Sequence, residues 1–73
     1  MTTTIFIALL DEGTEVWRAV SAVCIRDNVF QIVEEPPDDE RWQFITGDVV
    51  RCVQRTFADG QIGLVGFEKV SSP

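Results

Sequence analysis

Five carboxylates crowd one short stretch of this chain, Glu34, Glu35, Asp38, Asp39 and Glu40, interrupted only by Pro36 and Pro37. Paired carboxylates do acid-base work when a deep cleft shields them, and a chain of 73 residues has little material for such a cleft. A calcium loop would need regularly spaced oxygens and a central glycine, and neither is present. The remaining roles are a docking surface for a basic partner, an imitation of phosphates, or a solvated loop. Histidine is absent, which removes the commonest general base and the commonest zinc ligand. Cys24 and Cys52 fall short of a four-ligand zinc site, and both lie in apolar stretches, where free thiols pack as small hydrophobes. No serine or cysteine has a histidine to activate it, and no glycine loop could cradle a phosphate. The expectation is a non-enzymatic protein without metal or cofactor.

Trp17, Trp42, Phe30, Phe44 and Phe57 could instead line an aromatic groove or cage for a peptide or a methylated side chain. The competing reading is that they fill the core, since a small domain needs its large side chains inside. Trp42 borders the acidic loop and is expected to be the most exposed of them, so it joins Glu34, Glu35, Asp38, Asp39 and Glu40 as the candidate binding set.

Twelve acidic residues against six basic ones give a net charge of −6. Nucleic-acid binders neutralise phosphates with clustered cations, whereas the cations here are scattered from Arg18 to Lys69, so direct binding of nucleic acid is disfavoured. The apolar run Ile5 to Leu10 follows no cation and stops at Asp11, well short of the roughly 20 residues of a membrane span. This leads to the expectation of a cytoplasmic protein with no membrane partner.

The elements that must position these groups are short strands. Thr2 to Leu10 suits a first strand, covered on both faces. A loop at Gly13 leads to a long, bent strand from Glu15 to Arg26, with Ala19, Ser21 and Ala22 as places for a bulge. Asp27-Asn28 fits a tight hairpin into a third strand, Val29 to Glu34, with Phe30 and Ile32 on one face. After the acidic loop, Trp42 to Ile45 forms a short strand or anchors the loop. Gly47 turns the chain into Val49 to Phe57, with Val50 and Cys52 on one side. Asp59-Gly60 turns it again into Ile62 to Val70, where Gly63 and Gly66 suggest a bulge or a close approach. The whole counts out a single domain, residues 1–73, an all-β five-stranded antiparallel SH3-like barrel whose closure removes exposed edges. On the second strand, Trp17 is expected inside and Arg18 outside, because burying an indole is favourable and burying an unpaired guanidinium is not.

The motif Asp-Glu-Gly-Thr-Glu-Val-Trp-Arg-Ala-Val at Asp11 to Val20, followed by Trp42-Gln-Phe and Gly47-Asp-Val-Val-Arg-Cys, resembles a group of short bacterial proteins of uncharacterised function. Members of that group typically read Val-Trp-Arg-Pro-Val, where this chain has Ala19. The resemblance covers most of the chain and implies a compact SH3-like or Tudor-like β module with no catalytic residues to carry over. The expected function is protein binding, to a partner or to another copy of the chain. The alternative is an acidic inhibitor that mimics nucleic acid and blocks an enzyme that binds it.

Overall fold

The computed structural model describes residues 1–10 and 16–70. It shows an all-β SH3-like barrel of five strands: β1 (Thr3–Ala8), β2 (Trp17–Arg26), β3 (Val29–Ile32), β4 (Val49–Thr56) and β5 (Ile62–Lys69). Each strand is antiparallel to the next, and the ring closes where β5 meets β1. With an odd number of alternating strands the first and last must run the same way, and Phe6 and Val65 accordingly make a parallel pair. The expected Gly13 loop lies outside the described residues.

β2 serves both halves of the barrel. From Trp17 to Ala22 it pairs with β1, and from Ala22 to Arg26 it pairs with β3. Ala22 stands where the strand passes from one neighbour to the other and is fully buried, so a methyl group is what the crossing can hold. The irregularity expected near Ala19 to Ala22 falls instead between Cys24 and Arg26, just before the hairpin. In that hairpin Asn28 takes φ 62°, a conformation asparagine tolerates better than most residues.

The core gathers Ile5, Ile7, Val20, Ala22, Phe30, Ile32, Trp42, Phe44, Val50 and Cys52. Phe30 with Ile32, and Val50 with Cys52, face inward as their alternation requires. Gly66 faces the same interior, where a Cβ would stand 3.3 Å from Val50 Cγ2. A second irregularity opposes Arg51 and Cys52 to Glu68 and Gly66, leaving Phe67 as the extra residue of β5. The segment at Trp42 anchors the acidic loop to the end of β1: Leu9 and Trp42 form an isolated bridge, Leu10 N–H donates to Arg41 O at 2.7 Å, and Gln43 N–H donates to Ala8 O at 3.0 Å.

Four expectations need correction. β1 is not covered on both faces: Ile5 and Ile7 are fully buried, while Phe6 and Ala8 on the other face are only partly so. Cys24 is exposed, because the irregular end of β2 leaves the core, and only Cys52 is the buried thiol expected. Trp42 is not the exposed aromatic ring but a core residue, 4% exposed. Trp17 is on the outer row and only partly buried, whereas Arg18 is exposed as expected although it stands on the inner row. Pairing places Arg18 beside Ile7 and Val20 beside Ile5 on the inner row, and Trp17 beside Ala8 and Ala19 beside Phe6 on the outer row. The reason is collective, since moving Trp17 inward would slip β2 by one residue and turn Val20 and Ala22 out of the core. Arg18 is at the rim, where its guanidinium reaches Glu40 at 3.2 Å and stays in contact with water.

Candidate functional site

The outer row that carries Trp17 is unusually apolar for a surface. Directly paired residues share a face, so Val53, Val65, Phe6 and Ala19 form one continuous line across β4, β5, β1 and β2. Val65 is buried although it stands apart from the core cluster, whereas Val53 at one end of the line is 52% exposed. Small residues make room here for large neighbours. Ala8 lies beside Trp17, and Gly63 lies under the Phe6 ring, so close that a Cβ would stand 2.7 Å from Phe6 Cε1.

Three rings from separate parts of the chain meet above this floor. Phe6 and Phe57 pack edge to face with centroids 4.9 Å apart and planes at 62°. Trp17 and Phe57 are tilted, with centroids 6.1 Å apart. The guanidinium carbon of Arg55 lies 5.1 Å from the Trp17 ring centroid, a cation on an electron-rich face. Together with Thr56, Ala58, Asp59 and Gln61, these residues line an open groove of about 440 Å³. The turn from Phe57 to Gln61 holds the far wall in place. Phe57 N–H donates to Gln61 O at 2.7 Å, Gly60 N–H to Phe57 O at 2.9 Å, and Gln61 N–H to Asp59 Oδ1 at 3.1 Å. Gly60, at φ 89°, supplies the left-handed position of that turn.

None of the six residues expected from the sequence to bind lines this groove. Trp42 points its indole N–H at Glu40 Oε1, 3.0 Å away, and the same oxygen receives Arg18 Nε. One carboxylate therefore holds a buried indole and a rim arginine together. Glu34 is also structural: its Oε1 accepts the Ser21 N–H at 2.9 Å, extending the β2 ladder after β3 has ended, and its carbonyl accepts the Thr46 hydroxyl at 2.7 Å. Glu35, Asp38 and Asp39 lie in the loop without a part in the groove. Elsewhere Glu68 pairs with Arg51 at 2.7 Å and Asp48 with Lys69 at 3.4 Å, so the described acids are spread around the barrel and several are occupied locally.

Of the aromatic residues singled out in the sequence, Trp17 and Phe57 belong to the groove, while Trp42, Phe30 and Phe44 fill the core. Phe6 was missed because it sits inside a wholly apolar run. Its one available signal was alternation, since Ile5 and Ile7 flank it and one side of a strand must face outward. Compared with known proteins, the chain matches no family model, no curated protein and no solved structure. Among the described residues no three groups of the His, Cys, Asp and Glu types come together as a metal site, and no helix is long and apolar enough to cross a membrane.

Proposed function

We propose that this chain is a cytoplasmic, non-enzymatic β-barrel module that works by binding protein through the groove of Phe6, Trp17 and Phe57. One observation carries the reading: three aromatic rings from three different segments are assembled on the outside of a barrel whose core is already filled by other residues. A chain this small gains stability by burying aromatic rings fully, so leaving three of them only partly buried along an open groove favours contact with something else. Aromatic residues with an arginine beside them are also the types that dominate binding energy at protein interfaces. The tryptophan of the motif that resembles short bacterial proteins is the groove's Trp17. The dispersal of the described acids, and the use of Glu34 and Glu40 in holding the fold, support protein binding over an acidic imitation of nucleic acid.

The test compares capture of a partner from a cell lysate by three forms of the protein: the parent, Trp17→Ser, and a form with Glu35, Asp38 and Asp39 all replaced by Ser. Binding through the groove requires that Trp17→Ser lose the captured partner while remaining folded and that the loop variant keep it. The opposite pattern would transfer the function to the acidic loop.

A further inference from the structure

Resting on that reading of the groove, we infer that its occupant is a basic segment of another protein, with an apolar side chain laid against Phe6 and Phe57 and a neighbouring lysine or arginine on the Asp59 carboxylate. Charge complementarity selects this chemistry. The chain carries twelve acidic residues against six basic ones, and three of its cations are held by its own acids: Arg18 by Glu40, Arg51 by Glu68 and Lys69 by Asp48. Arg55 is on the Trp17 ring, both of these residues have further partners, and neither is needed for the contact. What the lining offers a newcomer is Asp59, which is exposed and pairs with no cation among the described residues. Its orientation is already set. Oδ1 accepts the Gln61 N–H at 3.1 Å, inside a turn closed by the bonds from Phe57 N–H to Gln61 O and from Gly60 N–H to Phe57 O. A cation meeting the second oxygen therefore finds an acceptor that needs little ordering. The apolar half of the contact adjoins it, since Phe57 packs edge to face on Phe6 and both rings are only partly buried. The same charge tells against an acidic occupant and against a second copy, because two bodies of −6 repel.

The probes are three end-blocked peptides: Gly-Lys-Leu-Leu-Lys-Gly, a twin with both lysines replaced by glutamate, and a twin with both leucines replaced by serine. Each is titrated into isotope-labelled protein at about 0.15 M salt, and the backbone amide signals of Phe57, Gly60 and Gln61 are followed by NMR. The lysine-leucine peptide should shift these amides with a dissociation constant at least about tenfold below that of either twin. Asp59→Ser keeps an oxygen for the Gln61 N–H and should raise that constant at least about threefold, with a thermal melt confirming the fold. Asp59→Lys should transfer the preference to the glutamate peptide, an exchange that a purely structural role for Asp59 would not produce. The form with Glu35, Asp38 and Asp39 replaced by Ser should keep the parent's constant within about twofold. Should the Asp59 variants fail to fold, the comparison of the three peptides on the parent still decides. The inference is overturned if no peptide moves the groove amides at millimolar concentration, if the glutamate peptide binds the parent as tightly as the lysine one, if folded Asp59→Ser binds like the parent, or if the shifts gather in the acidic loop. Should the leucine peptides bind the groove whatever their flanking charge, or should the parent capture a partner that Trp17→Ser loses while the lysine peptide leaves the groove unmoved, this inference fails while the protein-binding function stands.

Discussion

The Phe6 ring occupies the space that a side chain on Gly63 would need: a Cβ there would lie 2.7 Å from Phe6 Cε1 and 3.0 Å from Phe57 Cε2. Gly63→Ala must therefore displace the ring that forms the floor of the groove. The expected cost is about 1–3 kcal/mol, the usual range for overpacking, with the lower end favoured because the rings border open space. Near-ultraviolet circular dichroism should change along with the melting temperature. An unchanged spectrum and melt would show that the Phe6–Phe57 contact does not depend on this glycine.

The two tryptophans should behave differently. Trp42 is 4% exposed in the core, so Trp42→Ala should destabilise by about 3–5 kcal/mol, enough to unfold much of so small a domain. Trp17 is only partly buried on the outer row, and Trp17→Ala should cost about 1–2 kcal/mol. Urea denaturation of both variants measures the difference. Equal losses would mean that Trp17 is as much a core residue as Trp42.

Glu40 separates a hydrogen bond from an ion pair. Glu40→Gln keeps an acceptor for the Trp42 indole and loses only the pairing with Arg18, whose side chain is 45% exposed. The expected change is about 0–1 kcal/mol, since exposed ion pairs contribute little. Glu40→Ala strands the indole N–H and should cost about 1–3 kcal/mol. Chemical denaturation of the two variants should rank them in that order, and the reverse ranking would make the ion pair the stronger contact.

The two thiols should differ in reactivity. Cys24 is exposed and should react at once with a thiol reagent, whereas Cys52 is 3% exposed and should react only when the barrel opens. Burial also pushes the Cys52 thiol up to about 11 from the ordinary 9.0. In that interval the folded state keeps a proton that the unfolded state has released, so the contribution is intact below pH 9 and is lost as pH rises through 11. Cys52→Ala should remove that part of the alkaline decline in stability relative to the parent. An identical decline in both proteins would assign it to other groups.

Sequence alone was enough for the strands and for the inward faces of β3 and β4. Alternating β-branched residues separated by Asp27-Asn28, Gly47 and Asp59-Gly60 led to five strands, because period-two burial and turn chemistry act over a few residues. The inward faces of β3 and β4 followed from the same local rule, as Phe30 with Ile32 and Val50 with Cys52 show. Only the tertiary structure decided which tryptophan is buried. Trp42 goes inside because the segment after the acidic loop is bonded to the end of β1, and Trp17 goes outside because Ile5, Ile7, Val20 and Ala22 jointly fix the register of β1 against β2. Those are contacts between residues far apart in the chain, and no local pattern contains them. The groove belongs to the same class. Phe6, Trp17 and Phe57 meet only because the barrel closes between β1 and β5 and because Gly63 leaves room for a ring beneath them.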